Sequence, residues 1–195
     1  MRSVLVWLMV LFCCTLPTPA RAAPCQPAEL FATETADPLF EAQATVTIAL
    51  SGAAVTGSTP LDGVYWSSAQ RRSIPERSRE FHLCSGSSHA AADALRRQFD
   101  QEAVLTFDYL PQRAPDEDAI LIAVPDVDIA RFGAALAADP VARQRIRGGS
   151  VTTTDHTLIV VAGDDDLDVA RRLVGDAGGN WEAAQIAYGR LEFVA

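Results

Sequence analysis

The sequence has no lysine; all 16 of its basic side chains are arginine. That removes Schiff-base chemistry and the phosphate-gripping lysine of a P-loop. It holds one asparagine, Asn180, and three histidines, so a histidine-based site can draw only on His82, His89 and His156. No G-x-S-x-G elbow, no H-E-x-x-H and no dinucleotide-binding glycine pattern occurs. Plentiful alanine and arginine without lysine suggest GC-rich coding and a bacterial source.

The N-terminus reads as a secretory signal over residues 1–22. Arg2 supplies a positive start, and Val4 to Leu16 is an almost unbroken apolar run. Pro17 and Pro19 break it before the small residues Ala20 and Ala22. The run is about 13 residues, short of the roughly 18 needed to span a bilayer. Neither Cys14 nor Cys25 follows a small residue, as a lipid anchor would require. Cleavage after Ala22 is expected to leave one domain over 23–195, with 51–79 the only internal boundary the composition suggests. No later run approaches membrane length, so no membrane span is expected after cleavage. The expected location is periplasmic or secreted.

Cleavage removes Arg2 and Arg21 and no acid, taking the formal charge from −9 to −11. Such a surface repels nucleic acid and anionic lipid. Arg71, Arg72, Arg77 and Arg79 form the only basic concentration. Cys25 and Cys84 survive cleavage and are expected to form a disulfide in an oxidising compartment. The loop of about 60 residues corresponds to roughly 4 kcal/mol in the chain-entropy model.

Local pattern predicts a short helix over Pro27–Ala32 and a strand over Phe40–Leu50, where Val46, Ile48 and Leu50 alternate with Thr45 and Thr47. Ser51–Pro60 reads as a loop, Gly63–Ser67 as a short strand, and the arginine-rich Ala69–Arg79 as a surface loop. A more regular block follows. Strands are expected at Phe81–Cys84, Ala103–Leu110, Ala119–Val124, Val151–Thr154 and His156–Ala162. Helices are expected at His89–Phe99, Val127–Ala138 and from Asp164 to Val174. Ser87 or Ser88 caps the first of these. The tail 181–194 is ambiguous, with strand favoured for its second half. Strand–turn–helix–strand describes both Phe81–Tyr109 and Leu158–Phe193, a faint internal echo. The resulting fold expectation is α+β: a split βαβ, ferredoxin-like sheet with two or three helices mainly on one face, preceded by a short N-terminal β portion.

Several groups carry candidate chemistry. His82, Cys84 and His89 are conceivable zinc ligands, but their spacing fits no standard pattern and Cys84 has a rival partner in Cys25. No metal or cofactor is therefore assigned. Asp155-His156 could serve as orienter and base, and His82 and His89 are the other candidate catalytic groups. Asp164, Asp165, Asp166 and Asp168 suit the positive end of a helix better than a calcium loop. Tyr65, Trp66 and Trp181 suit a core more than a groove. These features lead to an exported binding or accessory protein acting on an unknown protein or small ligand. Its rivals are an envelope-directed hydrolase using carboxylates with a histidine, and a protein inhibitor or assembly factor. A histidine that converges with acids in a concave site would favour the hydrolase.

Overall fold

The computed structural model describes residues 25–84 and 86–195; the expected signal segment 1–22 lies outside them. In chain order the elements are β1 (Pro27–Thr33), α1 (Phe40–Leu50), β2 (Ala54–Ser67), β3 (Arg72–Cys84), α2 (Ser88–Phe99) and β4 (Val104–Tyr109). There follow β5 (Ala119–Val124), α3 (Ile129–Ala138), α4 (Pro140–Arg145), β6 (Gly148–Thr152), β7 (Leu158–Gly163), α5 (Leu167–Asp176) and β8 (Gln185–Val194).

The strands close into an antiparallel barrel in the order β1-β3-β2-β6-β7-β5-β8-β4. This overturns the expected ferredoxin-like sheet with helices mainly on one face. The chain runs strand–helix–strand–strand–helix–strand twice, with α4 added in the second round. Two antiparallel pairings then join the rounds: β2 to β6 through Leu61↔Thr152, and β4 to β8 through Val104↔Val194. Each pairing gives ladder partners to strands that would otherwise be free edges of a four-stranded sheet, and closure removes the edges. The segments Phe81–Tyr109 and Leu158–Phe193 hold equivalent places in the two rounds, as β3-α2-β4 and β7-α5-β8.

The N-terminal expectations fail in an instructive way. Pro27–Thr33 is a strand, not a helix, paired with β3 on one side and β4 on the other. Phe40–Leu50 is a helix, not a strand. Its buried residues are Phe40, Ala44 and Ile48, an i, i+4, i+8 stripe, whereas Val46 and Leu50 are exposed. The β-branched run lowers helix propensity, but packing of that stripe outweighs it. The stretch read as loops around Gly63–Ser67 is the β2–β3 hairpin. Its prolines misled because they sit where each strand lacks a second neighbour. Pairing of β1 with β3 stops at Ser78, before Pro75, and pairing of β6 with β2 starts at Leu61, just past Pro60. Edge positions tolerate a residue with no N–H.

The regular block forms much as expected. Ser87 caps α2 by accepting from Ala90 N, and Asp128 caps α3 by accepting from Arg131 N. Within the ambiguous tail, Trp181–Ala183 is a 3-10 turn and Gln185–Val194 is β8.

Burial falls into three clusters because every strand has two faces. Ile120, Ile122, Leu158 and Val160 point outward beneath Phe132, Leu136 and Leu173 of α3 and α5. Leu30 and Phe81 point outward beneath Phe40, Ile48 and Leu95 of α1 and α2. Leu61, Phe107, Leu121 and Ile159 point inward and meet at the barrel axis. Ala119–Val124 is thus buried on both faces, between the barrel interior and the helical layer. The Cys25–Cys84 disulfide is present and fastens the start of β1 to the end of β3. Among the described residues, no helix is long and apolar enough to cross a membrane.

Candidate functional site

Strand alternation decides which polar groups enter the barrel. On β3, Phe81 and Leu83 face the helices, so Glu80 and His82 face inward. On β1, Leu30 and Ala32 face the helices, so Glu29 and Phe31 face inward. Register then brings them together, since Glu29 lies directly opposite His82 and Phe31 opposite Glu80. Tyr109 at the end of β4 and Thr59 on β2 complete the group.

The contacts are specific. Glu29 Oε2 lies 2.7 Å from His82 Nδ1, and Tyr109 donates its hydroxyl to Glu29 Oε1 at 3.0 Å. Thr59 Oγ1 lies 3.4 Å from His82 Nε2. A register shift between Val55 and Gly57 bulges β2 opposite His82. The bulge directs Thr56 to donate to the His82 carbonyl at 3.1 Å. It also places Gly57 beside the imidazole, where a Cβ would come within 3.2 Å of His82 Cδ2. Bulges commonly re-aim side chains beside functional sites.

Glu29 and Glu80 are 7% and 5% exposed, whereas the His82 side chain is 40% exposed. The cluster therefore opens to solvent through the imidazole, while its carboxylates lie deeper. The Glu80 carboxylate has no hydrogen-bond partner among the described residues. Burial first, and then the Glu29 charge, push its pKa from 4.5 to about 7, against the opposing pull of His82. The hydrogen bond that its imidazole donates to Glu29 raises His82 above its ordinary value, although burial opposes it. Burial, followed by the charge of Glu29, raises Tyr109. Such displaced titrations gather where protons or cations are handled.

The other candidates disperse. His89 is an exposed residue in the first turn of α2, with Nδ1 2.9 Å from Glu192 Oε1. His156 sits in the exposed β6–β7 turn at φ 54°. Asp155 accepts from the hydroxyls of Thr152, Thr154 and Thr157, which organise that turn, and none of its bonds goes to His156. The Thr152 bond leads in holding its pKa low. Asp155-His156 is a turn pair. The set His82, Cys84, His89 loses its sulfur ligand because Cys84 is in the disulfide. Asp166 is buried against Arg145 and makes no side-chain cap. Trp66 and Trp181 are partly buried, under Arg143 and Arg171. Arg77 and Arg79 are paired with Glu34, and Arg79 also with Glu41.

Sequence reasoning found His82 but missed Glu29 and Glu80. The usable signal was the pair Glu80-x-His82 at strand spacing, which puts both side chains on one face. Glu29 is hidden in the sequence because the local pattern of Pro27–Ala32 is that of a helix, whereas the segment is β1. A separate cavity of about 710 Å³ lies between the β2–β3 hairpin and α3, lined chiefly by Val64, Pro75, Ile129, Ala130, Gly133 and Ala134. It contains none of the cluster.

No protein-family model matches the chain, and no curated protein matches it. Its structure is similar to solved proteins of low identity. An anthrone oxidase-like protein is 11% identical with a TM-score of 0.27, over 88% of this chain and 94% of that one. A proposed monooxygenase from Lactobacillus acidophilus is 9% identical with a TM-score of 0.31, over 87% and 96%. A further proposed monooxygenase, from Fusobacterium nucleatum, is 9% identical with a TM-score of 0.24, over 87% and 93%. At these values the likenesses carry no argument about chemistry.

Proposed function

We propose that the chain is an exported, periplasmic or secreted, binding protein that captures a cationic ligand at the mouth of its barrel. The observation that carries this is a surplus of buried acid: Glu29 and Glu80 share one imidazole, and Glu80 has no hydrogen-bond partner among the described residues. Two buried carboxylates that share one counter-charge are costly, and the cost falls when the surplus acid takes up a proton or meets a cation. A cationic ligand would take the place of that proton. Phe31, Leu61, Phe107 and Tyr109 give the adjoining wall an apolar character that strengthens electrostatic attraction at the site. The acidic surface, at net −11 once residues 1–22 are removed, favours approach of cations. The signal pattern and the disulfide support export.

The test is calorimetric titration of the oxidised protein with guanidinium and with divalent metal salts at pH 7. Binding at the site is expected to release protons and to be lost in Glu80→Gln. Equal binding by wild type and Glu80→Gln would refute the reading. A second reading, a hydrolase using carboxylates with a histidine, is favoured by the near-neutral pKa of Glu80, which suits a general acid–base group. It requires turnover of small acyl esters with a pH limb near 7 that disappears in Glu80→Gln.

A further inference from the structure

We infer that Glu29, Glu80 and His82 are the ligands of one divalent transition-metal ion of the zinc or manganese type. The inference rests on the cation-capture reading and names the cation. The potential ligand atoms of these residues all lie within 4.8 Å of one another. Tetrahedral coordination with bonds of about 2.1 Å places ligand atoms roughly 3.4 Å apart, a change within reach of carboxylate rotation. One imidazole nitrogen with two carboxylate oxygens is a donor set for zinc, iron or manganese, not for the soft thiolate-seeking ions. Two carboxylates and a neutral imidazole would also cancel the charge of a divalent ion, leaving the buried site neutral.

The polar partners of these residues provide an independent indication. Metal-bound imidazoles and carboxylates are usually held from behind, through the atom that does not touch the metal. Here Tyr109 occupies Glu29 Oε1, leaving Oε2 toward His82. Thr59 approaches His82 Nε2, leaving Nδ1 toward Glu29. Glu80, 5% exposed and without a hydrogen-bond partner among the described residues, is the third arm. All three ligands stand on two directly paired strands, which fixes their spacing better than a loop would. In the metal-free protein, the contact between Glu29 and His82 holds the place that the ion would take. Binding would therefore displace a proton from the imidazole side and leave both carboxylates ionised.

The experiment is titration of chelator-stripped, oxidised protein with zinc and, separately, with manganese, followed by calorimetry and by metal analysis after dialysis. One ion per chain is expected for the wild type. Affinity should fall at least tenfold in Glu80→Gln and in His82→Gln, and should be unchanged in His89→Ala and His156→Ala. Tyr109→Phe, which removes only the outer hydroxyl, should weaken binding by roughly tenfold or less. Circular dichroism checks that each variant is folded. If Glu80→Gln does not fold, the half-exposed His82 carries the test. Metal binding that ignores Glu80 and His82 would overturn the inference. If neither metal binds but guanidinium does, in a Glu80-dependent way, the metal assignment falls and cation capture stands. If neither kind of cation binds, both fall.

Discussion

Replacing Glu80 by Gln should stabilise the metal-free protein at alkaline pH and leave it nearly unchanged in acid. The Glu80 carboxyl is displaced from 4.5 to about 7, chiefly by burial. Between those values the folded state holds a proton that the unfolded state has released. A raised carboxyl therefore contributes stability that is fully present below pH 4.5 and lost as pH rises through 7. A displacement of this size corresponds to about 3 kcal/mol, at 1.36 kcal/mol per pH unit. His82 acts in the same direction: its pKa is also raised, so its contribution too is lost as pH rises. Glutamine keeps the shape of the side chain and never ionises. Glu80→Gln should thus exceed the wild type by about 3 kcal/mol near pH 9, which is roughly 6–12 °C in Tm for a chain of this size. The gap should close toward pH 4.5. Thermal and urea unfolding of both proteins, oxidised and with chelator present, measure this directly. An offset that is the same at pH 4.5 and pH 9, or no gain at pH 9, would show that Glu80 is not ionised against a burial penalty.

Other expectations concern the frame around the site. Reducing the Cys25–Cys84 bond, which spans 59 residues, should cost about 4 kcal/mol by the chain-entropy model and lower Tm in a scan with and without reductant. Gly189 lies opposite Tyr109 in the β4–β8 ladder, and a Cβ there would come within 2.3 Å of the Asp108 carbonyl and 2.6 Å of the Phe107 ring. Gly189→Ala should therefore destabilise by about 1–3 kcal/mol in urea unfolding. Leu158 is fully buried beneath the helices; Leu158→Ala should cost about 2–5 kcal/mol by the same assay. His156→Ala should change neither stability nor cation binding by a measurable amount, because its ring is exposed in a turn. A loss of binding there would reopen the Asp155-His156 pair as a site.

Much of the second round of the barrel was legible in the sequence. Ala119–Val124 and His156–Ala162, the latter observed as Leu158–Gly163, announced themselves as apolar strands because each buries both faces. Leu167, Ala170, Leu173 and Val174 sat at helical spacing, and Asp139-Pro140 marked a helix end. In the first round α2 and β4 were legible too, but most of the stretch from β1 to the start of β3 was not, for physical reasons. In Phe40–Leu50 the β-branched residues alternate by composition, while the stripe that packs is Phe40–Ala44–Ile48. In β2 and β3, Pro60 and Pro75 look like loop residues because a sequence does not show which stretches of a strand lack a second neighbour. Pro27–Thr33 is short and mixed, since one of its faces carries Glu29 and Phe31 into a polar and apolar interior.

By itself the sequence determined the disulfide partners, the helices α2, α3 and α5, the strands that bury both faces, and the shortage of histidines that narrows any such site. Those are local or composition-level properties: propensity, capping, period, and the count of groups available. Only the tertiary structure decided that the strands close on themselves, since Val104 meets Val194 and Leu61 meets Thr152 through pairings that no local pattern encodes. It also decided the site. His82 was visible as one of three histidines, but Glu29, 53 residues away, becomes its neighbour only through the β1–β3 register. Closure then buries Glu80 beside them, and burial turns an ordinary carboxylate into one that calls for a proton or a cation.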